Sequence, residues 1–369
     1  MNQKKLYLLS ATESIKLIKL GRISSKELVE SCAAQIEKND KKIHAWVMYN
    51  KNNAIQTAEY IDNKIKEGSN VGMLCGIPVA IKDIFNTLDF PTQHGSSIRK
   101  GYTPGNDARV VFRLKQENGI IIGKTVTAEF GVHYPGPTVN PHDFKHSPGT
   151  SSSGSAAAVA SFMVPLALGS QTAGSTLRPA SYCGIYGFKP SFGLIPRTGM
   201  LKTTDTLDNV GLMARTIDDL ELLFDVVRVS GIDHPLSNIL TCKKSSSNWR
   251  VVFVRSSKWH YAEEYAKNAI LEFISKLSKD KNINIEEKEL PEEFNKVHEI
   301  HEKIYCKELA YYFKEEYDCE KDKLSEVFID MIEKGRKINL DEYNLLLFEQ
   351  NQIREKLSKF FEDNQYDVI

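Results

Sequence analysis

The sequence predicts an α/β fold with a largely buried sheet, and three observations carry that expectation. Between residues 71 and 230, short apolar runs alternate with helix-patterned segments, the texture of strands packed under helices. The seventy residues before them read as helices opened by capping boxes, Ser10-x-x-Glu13 and Ser24-x-x-Glu27. The apolar content, 41% of 369 residues, suffices for a sizeable core and excludes a disordered chain.

In chain order, the first helix stops at Gly21. Gly76–Ile84 (GIPVAIKDI) and Ile120–Ile122 read as strands, with a helix over Ala108–Asn118 between them. The stretch Pro148–Ser191 is packed with Gly, Ser, Ala and Thr. Small residues let backbones approach closely and leave hydroxyls and N–H groups free to face a ligand. A linker shares that composition, but the apolar run Phe162–Leu168 marks this segment as a folded active-site wall. After Lys243 the chain is rich in Lys, Glu and Asn, and 263–281, 294–317 and 341–364 carry helical periodicity. Residues 243–369 are therefore expected to form a mainly helical layer over the sheet, entered through a polar loop at Cys242–Asn248.

Composition removes several function classes. The 48 basic and 48 acidic side chains cancel, so no global field draws nucleic acid or membrane. Six scattered cysteines (32, 75, 183, 242, 306 and 319) without a Cys-x-x-Cys pair suit reduced thiols in a cytoplasmic protein. No apolar run has signal-peptide or membrane-spanning character.

Among the motifs, Gly119-Ile-Ile-Ile-Gly123-Lys124-Thr125 has three residues between its glycines where a phosphate loop needs four, so it reads as a buried strand ending in a surface lysine. His298 and His301 are three apart and surrounded by charge, which reads as a solvated helix face rather than a metal site. No Gly-x-Ser-x-Gly elbow surrounds any serine, and the other histidines show no cluster that singles out a base. A serine nucleophile here calls for another base, and lysine is the next candidate. Lys82 lies inside the apolar run GIPVAIKDI, where alternation sends Lys82 and Asp83 to opposite faces. Burial disfavours a charged lysine and moves it toward the range of a useful base.

Three blocks in order, GIPVAIKDIF, PGTSSSGSAAAVAS and QTAGSTLRPASYCGIYGFKPSFGLIPRTG, together with LDNVGLMARTIDDLELL (Leu207–Leu223), resemble the amidase signature hydrolases over roughly residues 5–230 and more weakly beyond. The resemblance implies a single domain over 1–369, with a mixed central sheet covered by helices on both sides. It implies a small-molecule amide as substrate, its C–N bond hydrolysed through an acyl-enzyme without metal or organic cofactor. Lys82 would be the base, Ser151 a cis-serine relay and Ser175 the nucleophile, with N–H groups of Thr172, Ala173, Gly174 and Ser175 facing the developing oxyanion.

Several positions depart from the family pattern. Thr150, Ser153 and Ala173 stand where glycine is usual, and Gln171 stands where many members carry aspartate. Arg178 lies three residues after Ser175, whereas the A subunits of tRNA-dependent amidotransferases carry an arginine two after the nucleophile. The last two changes point toward general amidases; Arg178 could line the substrate pocket or form a structural ion pair. The resemblance also implies further sheet strands after Ile369, so a C-terminally shortened chain is expected. The alternatives are the A subunit of a tRNA-dependent amidotransferase and a truncated, non-catalytic remnant. Oligomeric state, a homo-oligomer included, stays open.

Overall fold

Residues 5–230 and 248–369 are described by a computed structural model, and the chain divides into two compact units. The first comprises Met1–Gly231 together with Tyr311–Ile332, the second Ile232–Ala310 with Glu333–Ile369.

The first unit opens with α1 (Ala11–Lys19) and α2 (Ser25–Ile43), each started by a complete capping box at Ser10/Glu13 and Ser24/Glu27. Then come β1 (Trp46–Tyr49), α3 (Lys51–Lys66), β2 (Pro78–Lys82), α4 (Arg109–Gln116), β3 (Ile120–Thr125), α5 (Ser153–Ala160), β4 (Leu166–Gln171), α6 (Leu177–Tyr182), β5 (Tyr186–Phe188), β6 (Asn209–Ala214) and α7 (Ile217–Val227). Among the described residues the strands form one mixed sheet in the order β1-β3-β2-β4-β6-β5. Its centre, β3-β2-β4, is parallel, while β1, β6 and β5 run antiparallel to their neighbours.

Strand alternation builds a core on each face. Val79, Ile81, Leu166 and Leu168 pack with residues of α1, α4 and α7. Ala80, Ile122, Ala167 and Met213 pack with α3 and the alanines of α5. The sheet is thus covered by helices on both sides, as the sequence leads one to expect. The strand β1 was not legible in the N-terminal helical stretch, because four apolar residues, Trp46–Tyr49, between long helices are too few to show a period.

One expectation is corrected. Lys124 is not at the surface but fully buried, because β3 lies inside the sheet and the segment 85–92 folds over its end. Its ammonium lies 3.0 Å from Asp83 and donates to the Phe85 carbonyl (2.8 Å) and the Thr92 hydroxyl (2.7 Å).

The second unit holds β7 (Trp249–Phe253), α8 (Glu264–Leu277) and β8 (Ile283–Glu287), the two strands pairing in parallel. Val368 makes a further parallel bridge to Val251. The helices that follow are α9 (Val297–Tyr312), α10 (Lys314–Glu320), α11 (Glu326–Lys337) and α12 (Leu340–Asn364), with α9 and α11 each crossing from one unit to the other. The helical character foreseen for 243–369 is present, but the strand pair within it was missed, and most of Cys242–Asn248 lies outside the described residues. No helix among the described residues is long and apolar enough to cross a membrane.

Candidate active site

The parallel centre of the sheet brings the candidate residues together at its carboxyl ends. Lys82 is the last residue of β2, and its side chain has no exposure to solvent. Its Nζ lies 2.7 Å from Ser151 Oγ, just before α5, and 2.8 Å from Ser170 Oγ near the end of β4. Burial lowers the Lys82 ammonium from its ordinary 10.5 to about 7, opposed by the charge of Asp208. Asp83 turns to the other side, where it faces Lys124. Burial pushes the Asp83 carboxyl up and the Lys124 ammonium down, and their pairing opposes both shifts.

Ser151 is fully buried, and the Thr150–Ser151 peptide bond is cis. The Ser151 carbonyl accepts from the Ala128 N–H at 3.2 Å. Ser152 then ties the wall to the next strand: its hydroxyl donates to the Ser170 carbonyl and accepts from the Ser170 N–H, both at 3.2 Å. The Ser152 N–H donates to the Ser175 carbonyl at 3.2 Å, so the Ser151 and Ser175 segments are joined backbone to backbone.

Ser175 sits in the short loop between β4 and α6 and is 7% exposed. Its hydroxyl has no hydrogen-bond partner among the described residues, and neither do the N–H groups of Ala173, Gly174 and Ser175. Unpaired donors next to an unpaired hydroxyl are the arrangement a developing oxyanion requires. The far end of the loop is capped by Gln171, whose Oε1 accepts from the N–H groups of Thr176 and Leu177 at 3.0 Å each. Arg178 directs its guanidinium at the Thr150 carbonyl (3.0 and 3.3 Å) and hydroxyl (3.3 Å), and so steadies the residue before Ser151 without an acidic partner in these bonds.

Other candidate nucleophiles and bases are poorly placed. Burial pushes the thiols of Cys32 and Cys183 up to about 12. The buried His94 imidazole is driven down to about 3 by burial and the charges of Lys124 and Arg99, and its ring nitrogens have no hydrogen-bond partner. Among the described residues no three His, Cys, Asp or Glu side chains gather as a metal would need; His298 is exposed on α9.

Sequence reading missed Ser170 and Asp208. Ser170 meets Lys82 only because β4 pairs in parallel with β2, and Asp208 meets Thr172 only through the β4–β6 register. Strand pairing was the signal needed, and a single sequence does not display it.

The amidase family profile matches residues 27–369. The chain is 39% identical over 230 residues to the A subunit of the glutamyl-tRNA(Gln) amidotransferase of Chlamydia pneumoniae, a match over 60% of this chain and 46% of that protein. It is 38% identical over 251 residues to the protein of the same name from Streptomyces coelicolor, covering 65% and 50%. The chain thus spans about half the length of the curated relatives it matches. Among solved structures, a chain from a vestigial complex that bears on the evolutionary origins of an s-triazine catabolic enzyme aligns with a TM-score of 0.85 and 26% identity, over 96% of this chain and 79% of that one. A bacterial aryl acylamidase aligns with a TM-score of 0.83 at 20% identity, over 96% and 78%, a likeness of fold. With the profile spanning nearly the whole sequence, the chain belongs to the amidase signature family.

Proposed function

We propose that the protein hydrolyses the C–N bond of a small-molecule amide with Lys82, Ser151 and Ser175. The observation that carries this reading is the fully buried Lys82 ammonium, brought down to about 7 and held 2.7 Å from the Ser151 hydroxyl. Neutral Lys82 takes the proton of Ser151 as Ser151 takes that of Ser175, and the Ser175 oxygen attacks the amide carbonyl. The N–H groups of Thr172, Ala173, Gly174 and Ser175 receive the charge that develops on the carbonyl oxygen. Ser151 then delivers its proton to the departing nitrogen as the C–N bond breaks and is reprotonated from Lys82. The same relay draws a proton from water, whose oxygen adds to the acyl-enzyme, and returns it to the Ser175 oxygen as the acyl–oxygen bond breaks. Arg178, bonded to Thr150, supports the wall more readily than it would reach a substrate. Buried free thiols at Cys32, Cys75 and Cys183 support a reducing, cytoplasmic setting.

A fluorophosphonate that modifies activated serines tests the mechanism. Labelling is expected at Ser175, absent in Ser175→Ala, and slowed by about 100-fold or more in Lys82→Ala, as for loss of a general base. Labelling at the unaltered rate in both variants would refute it. A second reading is favoured by the relatives named as the A subunits of amidotransferases. Ammonia release from glutamine that appears only with added partner subunits would support that reading; release from simple amides by the chain alone supports the first.

A further inference from the structure

We propose that Asp208 is a positioning residue of this site, holding the loop that carries Ser175 and acting on Lys82 through its charge. The inference rests on the hydrolase reading above. Strand β6 pairs antiparallel with β4 in a register that sets Asn209 opposite Gln171. The residue just past β4, Thr172, therefore faces the residue just before β6, Asp208. The Asp208 side chain is almost fully buried. One carboxylate oxygen accepts from the hydroxyls of Thr172 (2.7 Å), Thr203 (2.6 Å) and Thr204 (2.9 Å). The other accepts from the N–H groups of Thr203 (2.8 Å) and Thr204 (2.9 Å). Four of these bonds close the 203–208 turn; the fifth reaches across to the loop.

That fifth bond has a geometric consequence. The loop between Gln171 and Leu177 is pinned at its far end by the Gln171 amide and at its near end by Asp208 through the Thr172 hydroxyl. Between the two pins lie the unpaired N–H groups and Ser175. There is an electrostatic consequence as well. The groups that face Lys82 are the Ser151 hydroxyl before α5 and the Ser170 hydroxyl from β4, both neutral. Asp83 beside it is turned to Lys124, and the charge acting on Lys82 is that of Asp208, which favours the protonated lysine against the effect of burial.

The test is the pH dependence of fluorophosphonate labelling for the full chain and for Asp208→Asn, Thr172→Val and Thr172→Ser. Asp208→Asn is expected to slow saturated labelling about 10-fold or more, with half-saturation changed by no more than about 3-fold, as for a loss confined to the reactive state. Its acid limb is expected to move to lower pH, because without the negative charge Lys82 stays neutral further down the scale. Thr172→Val is expected to slow labelling without moving the limb, and Thr172→Ser, which keeps the hydroxyl, to restore the rate. An unmoved limb in a folded Asp208→Asn together with unaltered labelling in Thr172→Val would overturn the proposal. Should Asp208→Asn fail to fold, Thr172→Val decides: slow labelling rescued by Thr172→Ser supports it, and unaltered labelling overturns it. If Ser175→Ala and Lys82→Ala are labelled like the parent chain, the hydrolase reading itself fails. If those two lose labelling while the Asp208 and Thr172 variants keep it, the positioning role alone fails.

Discussion

Two buried lysines in adjacent strands meet opposite solutions. Lys124 keeps an ionic partner in Asp83, whereas Lys82 has only the hydroxyls of Ser151 and Ser170 within hydrogen-bond reach. A lysine without a carboxylate beside it can be neutral near pH 7, and that neutrality is a cost to the fold. The Lys82 ammonium titrates at about 7 in the folded chain against 10.5 ordinarily. Between those values the unfolded chain holds the extra proton, so stability rises with pH across the window and the cost is largest at and below its lower edge. At neutral pH the shift corresponds to an order-of-magnitude penalty of roughly 5 kcal/mol. Lys82→Met removes that penalty and forfeits two hydrogen bonds of about 1 kcal/mol each, with further loss from the two serine oxygens left bare. The expected outcome is an inactive variant more stable than the parent by ~2 kcal/mol near neutral pH, the difference shrinking as pH rises toward the lysine's ordinary range. Urea unfolding at several pH values measures it, and a variant less stable at neutral pH would contradict the assignment. Lys82 was legible in the sequence because it interrupts an apolar run. Lys124 ends an equally apolar run, but what buries it is the folding of 85–92 over the strand end, which no local pattern announces.

At the scale of elements, α5 shows why the small-residue wall is built as it is. Ser153 through Val159 are all buried, and α5 packs its alanines against the sheet with no polar face toward solvent. Gly154 admits the closest approach: a Cβ there would fall against the Ala45 carbonyl oxygen and the Val126 nitrogen, both backbone atoms of a rigid sheet margin. Alanine is ordinarily the better helix residue by about 1 kcal/mol, so the intrinsic preference and the packing disagree in sign. Packing is expected to win. Gly154→Ala should destabilise by about 2 kcal/mol or more through overpacking, while Gly68→Ala, at φ +71° with open space around it, should lose about 1 kcal/mol. Thermal melts of the two variants compare them directly, and equal losses would mean that the wall has slack. Helices α1 and α2 were legible because their caps are written in the sequence, and β2 because of its apolar run. The strands β1, β7 and β8 are short and partly exposed, and their pairing depends on contacts far away in the chain. The same dependence hid Ser170 and Asp208.

At the scale of the molecule, the first unit is not a continuous stretch of sequence. The segment 311–332 returns to it after the chain has built much of the second unit, and it does so through aromatic packing. Phe130, fully buried, stacks on Phe328 at 5.4 Å and meets Phe313 at 5.0 Å. Arg99 pairs with Glu316 at 2.6 Å, and the Ser325 N–H and hydroxyl donate to Glu129. Reading 243–369 as one helical layer could not reveal this, since a contact about two hundred residues distant leaves no mark on local periodicity. Phe130 lies two residues from Ala128, whose N–H supports the Ser151 carbonyl, so the returning segment braces the wall of the site. Phe328→Ala is expected to cost about 3–5 kcal/mol as a large-to-small core change. It should also slow labelling at Ser175, because the loosened Phe130 segment no longer fixes the bond to Ser151. Phe328→Leu, which keeps most of the volume, should lose less on both measures. Denaturant unfolding and labelling rate, read on the same two variants, test the coupling: a Phe328→Ala chain that unfolds like the parent would show that the segment merely rests on the first unit, and one that is destabilised yet labels at the parent rate would separate the fold's brace from the site.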